Sequence, residues 1–142
     1  MKIFKFFLTL VSMCLSFNSN AYWGLSFVNL LAEPKKYENK SIAVMGYVKF
    51  LPITKIFLSK DHAILSDTPS SIIVEDMTQK GDMGVTCKED YVIVYGRWTK
   101  LGGSYGISHI DKIVLADGVK RCWTKEQGNI YPDGIVPNEN PN

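Results

Sequence analysis

The strongest constraint on the fold is a series of short segments in which apolar residues alternate with other residue types. Five such segments are each long enough for one β-strand, and turn-forming residues separate them. They span Ser41–Phe50, Ile53–Leu58, Ser71–Glu75, Tyr91–Trp98 and Ile107–Leu115. Two of them have an interior glycine, Gly46 and Gly96, at which a strand bends or bulges. Because curled strands fit a small barrel better than a flat sheet, the sequence predicts a mainly β, five-stranded barrel.

A short helix is predicted before the first strand. Apolar residues recur at helical spacing within Leu25–Tyr37, and Gly24 or Ser26 can cap the helix. Pro34 predicts that the helix ends one or two residues earlier. At the other end of the chain, residues 126–142 contain three prolines, four asparagines and two glycines. This composition predicts a flexible, disordered C-terminal tail.

The first 21 residues have the organisation of a secretory signal peptide. Two lysines precede the apolar run Phe6–Phe17, and Ser19 and Ala21 occupy the two positions that a signal peptidase reads. The apolar run is too short to favour a membrane anchor. We therefore expect cleavage between Ala21 and Tyr22, which leaves a periplasmic or secreted chain without a membrane span.

Net charge and length restrict the function classes of the mature chain. The first 21 residues hold two of the 16 lysines and arginines and none of the 14 acidic residues. The remaining 121 residues therefore balance 14 positive against 14 negative charges. This length allows one domain, and the neutral balance does not favour binding to nucleic acid through bulk charge.

The cysteines predict a disulfide. Cys14 lies in the signal peptide; it could be lipidated, but Met13 is larger than the residue that a lipoprotein signal requires before its cysteine. The mature chain keeps Cys87 and Cys122, an even number in an exported protein. The turn-forming stretch Leu101–Ser104 predicts a hairpin, and the midpoint between the two cysteines, Ser104–Tyr105, lies next to it. The two thiols would therefore face each other at the open end of the hairpin. Neither a redox motif nor a set of metal ligands accompanies them, so we expect a structural disulfide and no cofactor.

Three parts of the chain resemble small exported OB-fold proteins, most of which are uncharacterised. Leu31–Lys40 (LAEPKKYENK) leads into Ile42–Val48 (IAVMGYV). In those proteins the first barrel strand is likewise preceded by a helix, a proline, a tyrosine and a lysine, and the strand itself contains a glycine followed by an aromatic residue. Tyr91–Trp98 (YVIVYGRW) is similar to the fourth strand, and Gly106–Ile113 (GISHIDKI) to the closing strand. The resemblance covers roughly residues 28 to 116 and implies an OB-like domain over residues 22–125.

An OB fold implies a binding surface on its second and third strands and the loops around them. Here that surface comprises loops at Leu51–Lys55, Asp61–Ser70 and Lys100–Tyr105. A barrel pattern without a catalytic set of residues predicts a non-enzymatic module that binds a protein or a cell-envelope ligand, although fold alone does not fix function. The candidate ligand-binding residues are aromatic or basic: Tyr47, Phe57, Lys60, Arg97, Trp98 and Tyr105.

An alternative is a metal-dependent or hydrolytic enzyme. His62 follows Asp61, and His109 lies two residues before Asp111. These four side chains would form a site if the loop after the second strand met the fifth strand. Their spacing does not require this, and a solvent-facing position for both histidines is the simpler interpretation. We therefore assign no catalytic residue and no metal ligand.

A second alternative is a binder of single-stranded nucleic acid. The aromatic candidates could stack on bases, and nearby lysines and an arginine could contact phosphates. The basic residues of this set are Lys49, Lys55, Lys60, Arg97 and Lys100. Aromatic residues in small barrels usually fill the core, however, and the mature chain is neutral. The sequence therefore favours another ligand.

Overall fold

The computed structural model describes residues 21–51, 53–75, 87, 89–125 and 128–129, and these residues form a mainly β structure, as predicted. The strands are β1 (Trp23–Gly24), β2 (Ser41–Leu51), β3 (Ile53–Phe57), β4 (Ser71–Val74), β5 (Tyr91–Leu101), β6 (Ser104–Leu115), β7 (Arg121–Thr124) and β8 (Gly128–Asn129). The α-helices are α1 (Phe27–Ala32) and α2 (Lys60–Ile64), and short 3-10 helices span Pro34–Tyr37 and Thr68–Ser70.

Five of the strands close a ring. β2 pairs with β3, β3 with β4, β4 with β6, β6 with β5, and β5 pairs again with β2. The β4–β6 pair is parallel and the other four are antiparallel. Outside the ring, β1 pairs with β2, β7 with β6, and β8 with β7. These three short strands are not predicted by the sequence.

The N-terminal helix follows its predicted signals. The Ser26 hydroxyl accepts a hydrogen bond from the Asn29 N–H at 3.2 Å, so Ser26 is the N-cap. The α-helix ends at Ala32, two residues before Pro34. Its buried face contributes Phe27 and Leu30 to the interior of the ring.

Gly46 and Gly96 lie where neighbouring strands approach closely. A Cβ at Gly46 would be 2.9 Å from the Ile56 Cβ, and a Cβ at Gly96 would be 2.8 Å from the Ile107 Cγ2. Gly96 also lies within the register shift between β5 and β6, as a bulge there would require. Gly46 pairs with Val92 in an uninterrupted register. Both glycines therefore permit tight packing, and only Gly96 lies in a bulge.

The disulfide is confirmed, but its place in the topology differs from the prediction. Cys87 and Cys122 are bonded, with Cα atoms 5.8 Å apart. The β5–β6 turn lies at Gly102–Gly103, within the predicted turn Leu101–Ser104, because Leu101 pairs with Ser104. The midpoint between the two cysteines, Ser104–Tyr105, lies two residues after the centre of that turn. Cys122 lies on β7 and not on the hairpin itself. The bond therefore joins the segment before β5 to the strand on the far side of β6.

The ring interior forms one continuous apolar core. It includes residues from α1, from all five ring strands and from β7, together with both bonded cysteines. Its largest fully buried side chains include Trp98, Leu30, Ile42, Ile56, Ile72, Ile107 and Ile113. No helix in the described part of the chain is long and apolar enough to span a bilayer.

Two predictions concern residues largely outside the described part of the chain. Residues 1–20 of the predicted signal peptide, with Cys14, lie outside the described part of the chain, which begins at Ala21, the last residue of that peptide. In the predicted tail, Gly128–Asn129 forms β8 against Trp123 and Thr124, and the other residues are not described.

Candidate ligand-binding clefts

The outer face of the β2–β3 hairpin holds the candidate site. Tyr47 pairs with Phe57 and Lys49 with Lys55. Because side chains two residues apart point to the same face of a strand, these four lie together on the face opposite the core residues Val48 and Ile56. The connection from β3 to β4 covers part of this face.

Helix α2 lies in that connection, where the sequence predicts a loop. Ser59 caps it, since its hydroxyl accepts from the His62 N–H at 3.4 Å. Ala63 on the helix packs on Tyr47 and Phe57 in a second small core. Tyr91 completes this core with an edge-to-face contact to Tyr47, with ring centroids 5.3 Å apart. The outer face is therefore partly covered by a five-residue helix.

Lys49 connects the sheet to the C-terminal end of α2. Its Nζ donates to the Ala63 carbonyl at 2.8 Å and to the Ser66 hydroxyl at 3.2 Å. A positive charge at the carboxyl end of a helix is favourable because the last carbonyls are otherwise unpaired. Lys49 therefore holds the connection in place against the sheet.

Two adjoining clefts flank Lys49. The first, which we name the Lys55 cleft, has a volume of about 170 Å³. It is lined by Lys49, Ile53, Lys55, Phe57, Ser66 and Thr68. The second, which we name the Lys60 cleft, has a volume of about 290 Å³. It is lined by Tyr47, Lys49, Lys60, Ala63, Ile64 and Glu89. Together they form one surface that combines amines, hydroxyls and apolar side chains.

The charge of this surface is mainly positive. Three lysines line the clefts, against one carboxylate, Glu89. Among the described residues, neither Lys55 nor Lys60 forms an ion pair. Among the described residues that line the clefts, positive side chains therefore outnumber negative ones three to one.

Large apolar side chains surround the clefts. Ile53 is 52% exposed, Ile64 66% and Leu65 79%. Exposed apolar side chains beside a cleft add apolar contact area to it. The surface can therefore contact the apolar part of a ligand or partner as well as its charged group.

The predicted ligand-binding residues separate into two groups at opposite ends of the β2–β5 ladder. Tyr47, Phe57 and Lys60 lie at the clefts, whereas Arg97, Trp98 and Tyr105 lie at the end where Ser41 pairs with Arg97. Lys60 and Arg97 are exposed, but the rings of Tyr47, Phe57 and Trp98 are buried. The buried rings contribute packing, and the polar groups around them are accessible to a ligand.

Trp98 and Tyr105 form a stacked pair at the far end. The Trp98 indole N–H donates to the Pro34 carbonyl at 2.9 Å, and the Tyr105 hydroxyl donates to the Glu38 carboxylate at 3.0 Å. Partial burial is the main reason that the pKa of Tyr105 lies above its usual value, and the hydrogen bond to Glu38 raises this pKa further. These contacts join the 3-10 helix and the turn after it to the β5–β6 hairpin.

The two histidines do not share a site. His62 Nδ1 contacts the Ser59 hydroxyl at 2.7 Å. His109 Nδ1 contacts the Ser108 hydroxyl at 2.9 Å on β6. Asp111 accepts a hydrogen bond from the Tyr22 hydroxyl. Within the described ranges, no three His, Cys, Asp or Glu residues are placed to hold a metal ion. The alternative site of Asp61, His62, His109 and Asp111 is therefore not assembled.

One Ser–His–Asp arrangement in the structure was not predicted from the sequence. His62 lies between the Ser59 hydroxyl and Asp67, whose Oδ2 is 4.0 Å from His62 Nε2. That distance is too long for a hydrogen bond, and Ser59 already acts as the α2 N-cap. These contacts lie within the β3–β4 connection and join the start of α2 to the turn that follows it.

The hydroxyls of the Lys55 cleft were also missed. Ser66 and Thr68 lie in the loop Asp61–Ser70, which was predicted to belong to the binding surface, but neither residue was among the candidate ligand-binding residues. Their position opposite Lys49 and Lys55 depends on the folding of the connection over the hairpin.

Comparison with models of protein families finds no match to this chain, and comparison with curated proteins finds no similar sequence.

Proposed function

We propose that this protein is an exported, non-enzymatic binding module with an OB-like barrel, which binds a protein or a cell-envelope ligand on the outer face of the β2–β3 hairpin. The ring order β2-β3-β4-β6-β5, with one parallel pair, supports the OB-like barrel. The disulfide and the signal-like first 21 residues support export.

One observation carries the binding function: two adjoining clefts share Lys49 and are surrounded by exposed apolar side chains. Ligand sites typically combine a concave apolar surface with a few polar groups that orient the ligand. The binding face of an OB fold lies on the second and third barrel strands, which correspond here to β3 and β4. The clefts share β3 and the β3–β4 connection with that face, and they extend onto β2.

Site-specific cross-linking in cells tests this proposal. A photo-reactive amino acid is placed at Leu65, beside the clefts, or at Val119, on the β6–β7 turn. The two positions are a matched pair, since Leu65 is 79% exposed and Val119 is 80% exposed. We expect a discrete adduct from Leu65 and none from Val119.

Equal labelling at the two positions, or none at either, would contradict the assigned surface.

The intact mass of the exported protein provides a separate test of export and cleavage. We expect the denatured mass of a chain that begins at Tyr22 and lacks the two thiol hydrogens of Cys87 and Cys122. A mass that retains the first 21 residues would contradict the predicted cleavage.

A further inference from the structure

We propose that the Lys55 cleft binds a phosphate group, carried by a soluble ligand or by a lipid headgroup. This inference rests on the proposed function and specifies the ligand chemistry of the same surface.

Lys49 and Lys55 are directly opposite each other in the β2–β3 register. Side chains in such pairs are close neighbours, and like charges at these positions destabilise a sheet. Among the described residues, Lys55 has no ion-pair partner, and no carboxylate lines the Lys55 cleft. An anion between the two ammonium groups would offset their repulsion.

The hydrogen-bond donors of the cleft point to an oxyanion. A lysine ammonium has three N–H donors, and Lys49 uses two of them on Ala63 and Ser66. Lys49 therefore keeps one donor, while Lys55 forms no side-chain hydrogen bond to another described residue. The Ser66 oxygen accepts from Lys49, so its own O–H remains available, and the Thr68 hydroxyl also lines the cleft.

This donor set fits a tetrahedral group. Lysines act on phosphate as point charges, whereas a planar carboxylate is matched best by the two parallel donors of an arginine. Separate amine and hydroxyl donors from two strands and a loop can each contact a different oxygen. The shared chemistry is therefore that of a phosphate group with several terminal oxygens.

Ser66 supports the inference through its backbone. Its φ is 55°, in the left-handed region that favours glycine or asparagine at the end of a helix. A serine at this position keeps a hydroxyl within 3.2 Å of Lys49 Nζ despite the unfavourable conformation. Loss of the hydroxyl can therefore be separated from loss of folding, since glycine suits the backbone better.

The adjoining Lys60 cleft determines how the rest of a ligand lies. It contains Glu89, which repels an anion, together with Tyr47 and Ile64. The phosphate group therefore belongs on the Lys55 side, and a less charged part of the ligand occupies the Lys60 cleft. The Lys55 cleft, at about 170 Å³, is too small for more than the head of a larger ligand.

Phosphate binding is tested on the disulfide-bonded mature protein, by isothermal titration and by thermal unfolding with inorganic phosphate at constant ionic strength. We expect saturable binding and a rise in Tm. Lys55→Gln should weaken binding about tenfold, as loss of one charge-assisted hydrogen bond predicts. Without phosphate, Lys55→Gln should be at least as stable as the wild type, because it removes the repulsion from Lys49.

Two further variants make the test specific. Ser66→Gly should fold normally and bind phosphate about fivefold more weakly, the effect of one neutral hydrogen bond. Lys35→Gln removes the same charge from an exposed position in the Pro34–Tyr37 turn and should bind like the wild type. If Lys35→Gln weakens binding as much as Lys55→Gln, the effect is general charge and the proposal fails.

The source of the phosphate group is tested with glycerol phosphate and with vesicles. Binding to glycerol phosphate supports a soluble ligand. A lipid headgroup is supported if the protein binds vesicles that contain phosphatidylglycerol but not phosphatidylcholine vesicles. Lys55→Gln should abolish that binding. If inorganic phosphate, glycerol phosphate and the anionic vesicles all fail to bind, the phosphate site is overturned. The Leu65 cross-link would then still test the binding surface independently.

Discussion

Trp98 on β5 and Tyr105 on β6 stack with their ring planes 11° apart and their centroids separated by 5.8 Å. Trp98 is 1% exposed and also bonds to the Pro34 carbonyl, so its removal leaves a large cavity. We expect Trp98→Ala to lower the free energy of unfolding by about 3–5 kcal/mol in urea denaturation. Tyr105→Ala should be less destabilising, and the effects of the two changes should be non-additive. Additive effects would show that the stack contributes nothing of its own.

Any side chain at position 96 should destabilise the fold. A Cβ there would be 2.8 Å from the Ile107 Cγ2 and 2.9 Å from the Ser108 carbonyl oxygen. We expect Gly96→Ala to lower the free energy of unfolding by about 1–3 kcal/mol, because the strands must separate to accommodate the methyl group. Gly103→Ala is the matched control, since a methyl group at that position would have no neighbour within 4 Å. Equal unfolding midpoints for the two variants would contradict this account.

The disulfide should contribute strongly to stability. It closes a separation of 35 residues, for which the chain-entropy relation gives about 4 kcal/mol. Both cysteines are buried, so Cys87→Ala/Cys122→Ala is a better test than substitution by serine. We expect the double variant to unfold at a lower urea concentration by an amount close to that of the reduced wild type. An unchanged midpoint would mean that the bond does not restrict the unfolded chain.

Asp117 should make stability depend on acid pH. Its carboxylate accepts hydrogen bonds from the N–H groups of Lys120 and Val119, and these lower its pKa below the ordinary value of 3.8. A carboxyl with a lowered pKa in the folded state stabilises the fold above its ordinary pKa. This contribution is lost as the pH falls through the lowered value. We expect Asp117→Ala to lower Tm at pH 7, with a difference that shrinks as the pH is lowered below about 4. A difference that does not change with pH would contradict the assignment.

The parts of the fold that could be predicted from the sequence have strong local signals. The alternating pattern of Ser41–Phe50 corresponds to β2, and Ser26 with Pro34 sets the two ends of α1. The pairing of Cys87 with Cys122 followed from their number and spacing. By contrast, β1 and β8 have two residues each, too few for a periodic pattern to be recognised.

The candidate site was harder to predict because it depends on tertiary contacts. The alternation in β2 places Tyr47 on the outer face, which suggests an exposed ring. That ring is buried because α2, only five residues long, packs over it through Ala63. Lys49 pairs with Lys55 because of the register between β2 and β3, and the residues alone do not specify that register. A sequence pattern therefore identifies the hairpin but not the cleft on it.

The position of the disulfide has a consequence for the order of assembly. Strands β5, β6 and β7 follow one another in sequence between Cys87 and the strand that carries Cys122, and each pairs with the next. Such local pairings close small loops, whereas the β2–β5 and β4–β6 pairings join distant parts of the chain and are entropically slower to form. We expect this three-stranded meander to form first and oxidation to fix it. The N-terminal strands would then add to a covalently closed template.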